Sequence, residues 1–404
     1  LTRWHETPLA RPVRARGARR WVVSRPYGGR VIELRREPAG QVGRERAPLV
    51  SIITSGHDVA DARLHRHVAS LMRAGLRVEV LGLGEAAGAP DGIEGVDVAP
   101  RPALWRRPAL AFRFAHRAHG AALVSLDPES AFACWVRARL SGRLVVVDVH
   151  EDYRALLQDR TWSRGAAKAA GHALASMGII AARRADVTVV ADAHLLTELD
   201  DRVVARNVPD AVEPGDRDDQ PRAVYVGDVR ASRGLFDMLD AIESSPGWTL
   251  DLVGPVAPED RAALEERVGV LGDRVRIHGR LRPDASWRIA AGAWAGFSLL
   301  HDTPAFRDAT PSKIYEYLAH GIPVIATRLP AQAELLEETG GGALVDSADA
   351  VGPLLAAWQA DPDAHAELSA RALAWARTSP AYGEGSIRLA QAVAASLRTS
   401  DHTR

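Results

Sequence analysis

Short apolar runs alternate with longer amphipathic stretches over most of the chain. The run Leu49–Thr54 predicts a buried strand, and the polar, glycine-containing residues Ser55–Asp58 predict a loop after it. A stretch with apolar positions three and four residues apart then predicts a helix, and Arg77–Gly82 predicts a second strand. A helix between two consecutive strands is typical of a parallel sheet.

The same alternation recurs in two series. Residues 210–221 are crowded with Asp, Pro, Glu and Gly, which indicates a linker between the series. We therefore expect an α/β protein with two Rossmann-like, doubly wound domains that face each other across a cleft. Ligands of such sheets bind beyond the carboxyl ends of the strands, so the cleft is the expected site. The further predicted strands are Ala122–Leu126, Leu144–Val149, Val187–Val190, Ala223–Val226, Leu250–Val253, Val275–His278, Phe297–Leu300 and Pro323–Ala326.

These patterns divide the chain into four parts. Residues 1–46 form a basic extension, 47–208 the first domain, 209–383 the second, and 384–404 a final helix. That helix is amphipathic, and either domain offers a surface for it. We place it against the first domain.

Composition narrows the class of protein. The 404 residues include one cysteine, so no intrachain disulfide forms and a reducing cytoplasm is the expected location. Arginine greatly outnumbers lysine, which is typical of a GC-rich bacterial genome. The formal net charge is zero, which disfavours nucleic-acid binding.

The segment Phe306–Pro330 is the richest in candidate functional residues. Thr310 predicts a helix N-cap, Pro311 the first helical position and Gly321 the end of the helix. The first-turn amides, that of Ser312 included, offer an anion site. Lys313, Glu316 and His320 share one face of this helix. A carboxylate at Glu316 suits a pair of vicinal hydroxyls, although Lys313 and Glu316 could instead form an exposed ion pair.

This segment resembles the donor-binding signature of the retaining, GT-B-fold glycosyltransferases of family 4. The signature has two glutamates separated by seven residues, with Pro-x-Lys before the second. The resemblance makes Glu316 the ligand of the donor ribose. It places Asp308 at the first glutamate, near the reacting carbon of the transferred sugar. Asp is one methylene shorter than Glu, which leaves two outcomes open: an altered choice of sugar or a loss of activity.

The segment YVGDVRASRG, which begins at Tyr225, resembles the loop that grips the donor diphosphate. Glu334 is a further donor-side candidate, although an exposed helix glutamate is the simpler reading. The complete set of expected donor-binding residues is Gly227, Arg230, Arg233, Thr310, Pro311, Ser312, Lys313, Glu316 and Glu334.

The first domain resembles the same family more weakly. The stretch from Ser55 to Gly84 is similar to its opening loop, helix and second strand, and Asp148–Tyr153 to an element that ends a strand. His150, which stands in that element, is expected to contact the sugar or the acceptor, and with Asp308 it completes the predicted catalytic pair. The expected acceptor-side residues are Gly56, His57, Asp61, Arg63 and Glu151.

The function that the resemblance implies is transfer of a sugar, with retention, from a nucleotide sugar to an unidentified acceptor. A UDP-sugar is favoured and a GDP-sugar remains open. We expect no tightly bound cofactor and no metal, because cationic side chains can balance the diphosphate. Two alternatives stay open: an inactive homologue that serves as a partner or scaffold, which Asp308 favours, and a nucleotide-sugar 2-epimerase.

Two basic segments, residues 1–46 and 101–119, suggest contact with the inner face of a membrane. The first holds twelve Arg and four Glu. The second could equally be a charged protein surface with buried aromatic side chains. Its basic and apolar residues are Trp105, Arg106, Arg107, Leu110, Phe112, Arg113, Phe114 and Arg117.

Overall fold

The computed structural model describes residues 47–151, 153, 165–209, 212, 214–379, 381–382 and 384–401. The predicted basic extension, residues 1–46, therefore lies outside the described residues. Residues 48–404 form one unit that contains both sheets.

The first lobe is built on a seven-stranded parallel sheet with the order β3-β2-β1-β4-β5-β6-β7. Its strands are β1 (Leu49–Asp58), β2 (Arg77–Leu83), β3 (Gly95–Ala99), β4 (Ala122–Ser125), β5 (Leu144–Val149), β6 (Val187–Val190) and β7 (Val203–Val204). Its helices are α1 (Ala62–Arg73), α2 (Arg107–Arg117), α3 (Pro128–Ser141) and α4 (Gly165–Ala182).

The second lobe repeats this plan with a six-stranded parallel sheet in the order β10-β9-β8-β11-β12-β13. Its strands are β8 (Arg222–Val226), β9 (Thr249–Val253), β10 (Val275–Gly279), β11 (Ala295–Ser298), β12 (Val324–Thr327) and β13 (Gly342–Val345). Its helices are α5 (Leu235–Glu243), α6 (Arg261–Leu271), α7 (Pro283–Ala290), α8 (Ser312–Ala319), α9 (Pro330–Thr339), α10 (Val351–Ala360) and α11 (Pro362–Thr378).

In both sheets the strand order reverses beside the first strand, between β1 and β4 in one sheet and between β8 and β11 in the other. At such a switch point the connections leave to opposite faces of the sheet and open a crevice at the carboxyl ends of the strands. The predicted fold class, two doubly wound α/β domains, is confirmed.

A final helix, α12 (Glu384–Asp401), follows the second lobe in sequence but packs on the first. Its buried residues Leu389, Val393 and Leu397 join Val50 and Leu64 in one apolar cluster. This burial links the end of the chain to the core of the first sheet.

The structure differs from the sequence expectation at one loop and three strands. Ser55–Asp58, expected as a loop, continues β1 with an irregular register between Ile53 and Asp58. The missed strands β3, β7 and β13 all lie at sheet edges, where half-exposed residues produce no continuous apolar run. Within the part of the chain that the structure covers, no helix is long and apolar enough to cross a bilayer.

Candidate active site

The end of β1 is held at the first switch point by Asp127, the N-cap of α3. Its carboxylate accepts hydrogen bonds from the Thr54 hydroxyl at 2.7 Å and from the Ser55 and Gly56 amides at 2.8 and 3.2 Å. Burial opposes ionisation, but Arg107 and these donors hold the pKa of Asp127 well below its usual range. A fixed negative charge therefore holds the irregular end of β1 that carries Gly56.

A cluster of titratable residues lies beside this end of β1. The rings of His57 and His150 meet edge to face with centroids 4.9 Å apart. Burial disfavours the charged form of His57, but the Asp61 carboxylate, 3.4 Å from its Nδ1, outweighs burial and raises its pKa to about 9. Burial and the charge of His57 lower the pKa of His150. Near neutral pH the pair thus consists of one imidazolium and one neutral imidazole.

This cluster faces the second lobe. Exposed Glu151 follows His150 and is close enough to raise the pKa of both His57 and Arg233. The Nδ1 atom of His150 is buried and has no hydrogen-bond partner among the described residues. His57, Asp61, His150 and Glu151, all predicted from the sequence, are therefore brought together at the cleft.

Arg63 has a different environment from the one expected of an acceptor ligand. Its guanidinium is buried and donates to both carboxylate oxygens of Asp148, at 2.6 and 2.5 Å, while His67 contacts the same carboxylate at 2.7 Å. Burial opposes ionisation of Asp148, but Arg63 and His67 hold its pKa far below the usual range. The guanidinium of Arg63 is thus paired with a buried carboxylate, and its acceptor-side role stays a prediction.

Three cationic side chains meet at the switch point of the second lobe. Lys313 Nζ lies 3.6 Å from the centroid of the Tyr225 ring, beside Gly227, and none of the described residues accepts a hydrogen bond from it. The Nε atoms of Arg230 and Arg233 are likewise buried without an acceptor in the described structure. Burial, and then the charge of Arg233, lower the pKa of Lys313 well below its ordinary value. Asp228, whose carboxylate lies 3.7 Å from Arg230, is the acidic side chain recorded beside these three cations, so they outnumber it.

Glycine permits the loop that carries these arginines. Gly234 has φ of 80°, and a Cβ there would lie 2.2 Å from the backbone oxygen of Leu299. The chain can therefore turn from Arg233 directly into α5 only with glycine at this position.

Helix α8 begins one residue later than the capping pattern predicts. Pro311 is the N-cap and Ser312 the first helical residue, so the assignment of Thr310 as N-cap is wrong. Proline before the helix fixes an extended approach, with φ −64° and ψ 130°. No side chain caps the helix, so its first amides remain available to a ligand next to Lys313.

Glu316 is buried one turn further along α8 and pairs with a residue of the other lobe. Arg66, on α1, donates from Nη1 to Glu316 Oε1 at 2.7 Å and from Nε to Asn207 Oδ1 at 2.7 Å. The exposed pair of Lys313 with Glu316 that the sequence left open is excluded. Arg66 could not be predicted from local patterns, because its partners lie 141 and 250 residues away in the sequence.

The remaining predicted donor residues occupy more open positions. Asp308 lies exposed in the turn before α8, and Thr310 is half-buried. Glu334 is exposed on α9. Their roles toward a donor stay predictions.

Comparison with known proteins agrees with this geometry. Residues 220–358, which span the cationic cluster and α8, match the family model described as glycosyl transferases group 1. Comparison with curated protein sequences gave no match.

Solved structures with the same fold include sucrose-phosphate synthase from Thermosynechococcus elongatus and HepE from Anabaena in complex with UDP and glucose. The alignment with the first has a TM-score of 0.68 at 16% identity and covers 88% of this chain and 100% of the synthase chain. The second has a TM-score of 0.63 at 16% identity, with 87% and 100% covered. The fold is GT-B, and the residues that match the group 1 glycosyl transferase model lie in the second lobe.

The Arg63–Asp148 pair generates a stability prediction. Arg63→Ala leaves a buried carboxylate without its cation and should lower the free energy of unfolding by about 3–5 kcal/mol in urea denaturation. Arg139→Ala, at an exposed position on α3, is the control and should change it by less than about 0.5 kcal/mol. Unchanged stability in Arg63→Ala would contradict the structural role of the pair and would favour the acceptor-side prediction for Arg63.

Proposed function

We propose that the protein transfers a sugar from a nucleotide sugar to an acceptor, with retention and without a metal ion. One observation carries the proposal: the buried ammonium of Lys313, with no hydrogen-bond acceptor in the described structure, stands beside Arg230 and Arg233 at the open start of α8. A diphosphate supplies acceptor oxygens for these groups and negative charge beyond that of the Asp228 carboxylate, which lies 3.7 Å from Arg230.

The same cluster suits the chemistry of the departing group. When the glycosidic bond breaks, negative charge develops on the nucleoside diphosphate. Cations and helix amides that are already in position stabilise this charge without rearrangement. They can take the part that a divalent cation plays elsewhere, which is why we propose a metal-independent reaction. Diphosphate binding would also favour the charged form of Lys313, which burial disfavours.

Residues on both sides of the cleft are assigned to the sugar and the acceptor. Glu316 is the ribose ligand, and Asp308 is positioned to approach the transferred sugar from the turn before α8. His150 is held neutral, and its Nδ1 has no hydrogen-bond partner among the residues that the structure describes, so it is suited to a hydrogen bond with a sugar or acceptor hydroxyl. The resemblance to retaining enzymes favours attack by the acceptor on the face that the diphosphate leaves.

UDP is the favoured nucleotide. The Anabaena protein of the same fold has been solved with UDP and glucose. We therefore propose a UDP-sugar as donor and retain GDP as the second nucleotide to be assayed.

The diphosphate assignment predicts a loss of affinity in cluster variants. Arg233→Ala and Lys313→Ala should each weaken UDP binding about 10- to 100-fold in calorimetry, because each removes a charge-assisted hydrogen bond. Arg261→Ala, a surface arginine of the same lobe, is the matched control and should bind as the wild type does. Wild-type affinity in both cluster variants would contradict the diphosphate role. Tight UDP binding without transfer or hydrolysis of UDP-sugars would favour the inactive homologue.

We also propose that the protein acts at the inner face of the membrane through residues 101–119. Leu104, Trp105 and Phe112 are exposed, whereas Phe114 is buried in the core. No acidic residue occurs between Arg101 and Arg117. Apolar side chains among arginines are suited to a bilayer with acidic lipids.

Vesicle flotation tests this contact. The wild type should float with vesicles that contain phosphatidylglycerol, and less with phosphatidylcholine alone or at high salt. Trp105→Ala should weaken binding about tenfold, since it removes an interfacial aromatic ring. Val270→Ala, an exposed apolar residue of the second lobe, should leave flotation unchanged. Equal flotation of wild type and Trp105→Ala would contradict the proposal.

A further inference from the structure

The guanidinium of Arg66 is fixed on two sides and unpaired on the third. Nε donates to Asn207 at 2.7 Å, and Nη1 donates to Glu316 at 2.7 Å. Nη2 is buried and has no hydrogen-bond partner in the described parts of the chain. A planar guanidinium held at two nitrogens has little freedom to turn, so the direction of its third nitrogen is set.

The surroundings of this pair make the unpaired nitrogen costly. The side chains of Arg66 and Glu316 are 15% and 6% exposed. Burial raises the pKa of Glu316, and Arg66 opposes that rise and favours the carboxylate. A buried N–H without an acceptor is unfavourable by about 1–3 kcal/mol, and more in a charged group. A ligand that offers an acceptor at this point would remove the penalty.

The two residues offer complementary hydrogen-bonding groups at one place. Glu316 accepts hydrogen bonds, while Arg66 Nη2 can donate one. A sugar hydroxyl both donates and accepts, so a single hydroxyl can satisfy both residues. Lys313, on the same helix as Glu316, belongs to the cluster assigned to the diphosphate, so a ribose attached to that diphosphate is the hydroxyl-bearing group within reach.

We propose that Arg66 is a specificity-determining residue for the donor nucleoside, contributed by the first lobe. Its Nη2 donates to an oxygen of the ribose diol, and Glu316 accepts from the same diol. This inference rests on the proposed function and adds to it a ligand from the opposite lobe. The nucleoside is then recognised only when α1 of the first lobe and α8 of the second lobe lie next to each other.

Calorimetry with modified nucleotides tests this role. The wild type, Arg66→Ala and Arg66→Lys are titrated with UDP, 2′-deoxy-UDP, 3′-deoxy-UDP and pyrophosphate. The wild type should prefer UDP about tenfold or more over at least one deoxy analogue, because a buried polar group loses its partner. In Arg66→Ala that preference should fall below about threefold, while pyrophosphate affinity changes less than about twofold.

Arg66→Lys separates recognition from structural support. Lysine keeps a positive charge for Glu316 but lacks the third nitrogen of the fork. It should retain a thermal unfolding midpoint close to that of the wild type and still lose ribose discrimination. Arg73→Ala, an exposed arginine on the same helix, should behave as the wild type.

The outcomes distinguish the two proposals. If Arg66→Ala binds UDP more weakly but keeps the wild-type preference for ribose, Arg66 only supports the fold and the inference is wrong. Unchanged UDP affinity would also overturn it. A wild-type protein that binds neither UDP, GDP nor pyrophosphate would overturn the proposed function, and this inference with it.

Discussion

The proposed site in the second lobe depends on the buried ammonium of Lys313. An ammonium removed from water without an acceptor is unfavourable by several kcal/mol, and its contact with the Tyr225 ring offsets only part of this. Arg233 next to it increases the cost, because after burial its charge is the second cause that lowers the pKa of Lys313. Such an arrangement is stable chiefly because the sheet and α8 fix it, and it becomes favourable when an anion enters.

Ion pairs between side chains of the two lobes span the same cleft. Arg66 reaches Glu316, Arg282 reaches Asp91 at 2.8 Å, and Arg280 approaches Asp58 at 4.0 Å. Two of these pairs are partly exposed and contribute little by themselves. The Arg66–Glu316 pair is buried and lies where the donor is proposed to bind. In the proposed function, donor binding is therefore coupled to the relative position of the two lobes through the Arg66–Glu316 contact.

How much the sequence predicts depends on the range of the interactions involved. Central strands such as β5 are buried on both faces and appear as apolar runs, whereas the edge strands β3, β7 and β13 do not. Glu316 and Lys313 are found by their spacing on one short helix. Arg63 and Arg66 are three residues apart on α1, yet one is buried against Asp148 and the other crosses the cleft. Their partners are far away in sequence, and local patterns carry no information about such pairs.

A crystal structure of the complex with UDP tests the central claim most directly. We expect the diphosphate oxygens within hydrogen-bonding distance of Lys313 Nζ and of the first amides of α8, with Arg230 and Arg233 turned toward them. A diphosphate bound elsewhere, with the Lys313 ammonium still lacking an acceptor, would contradict the account.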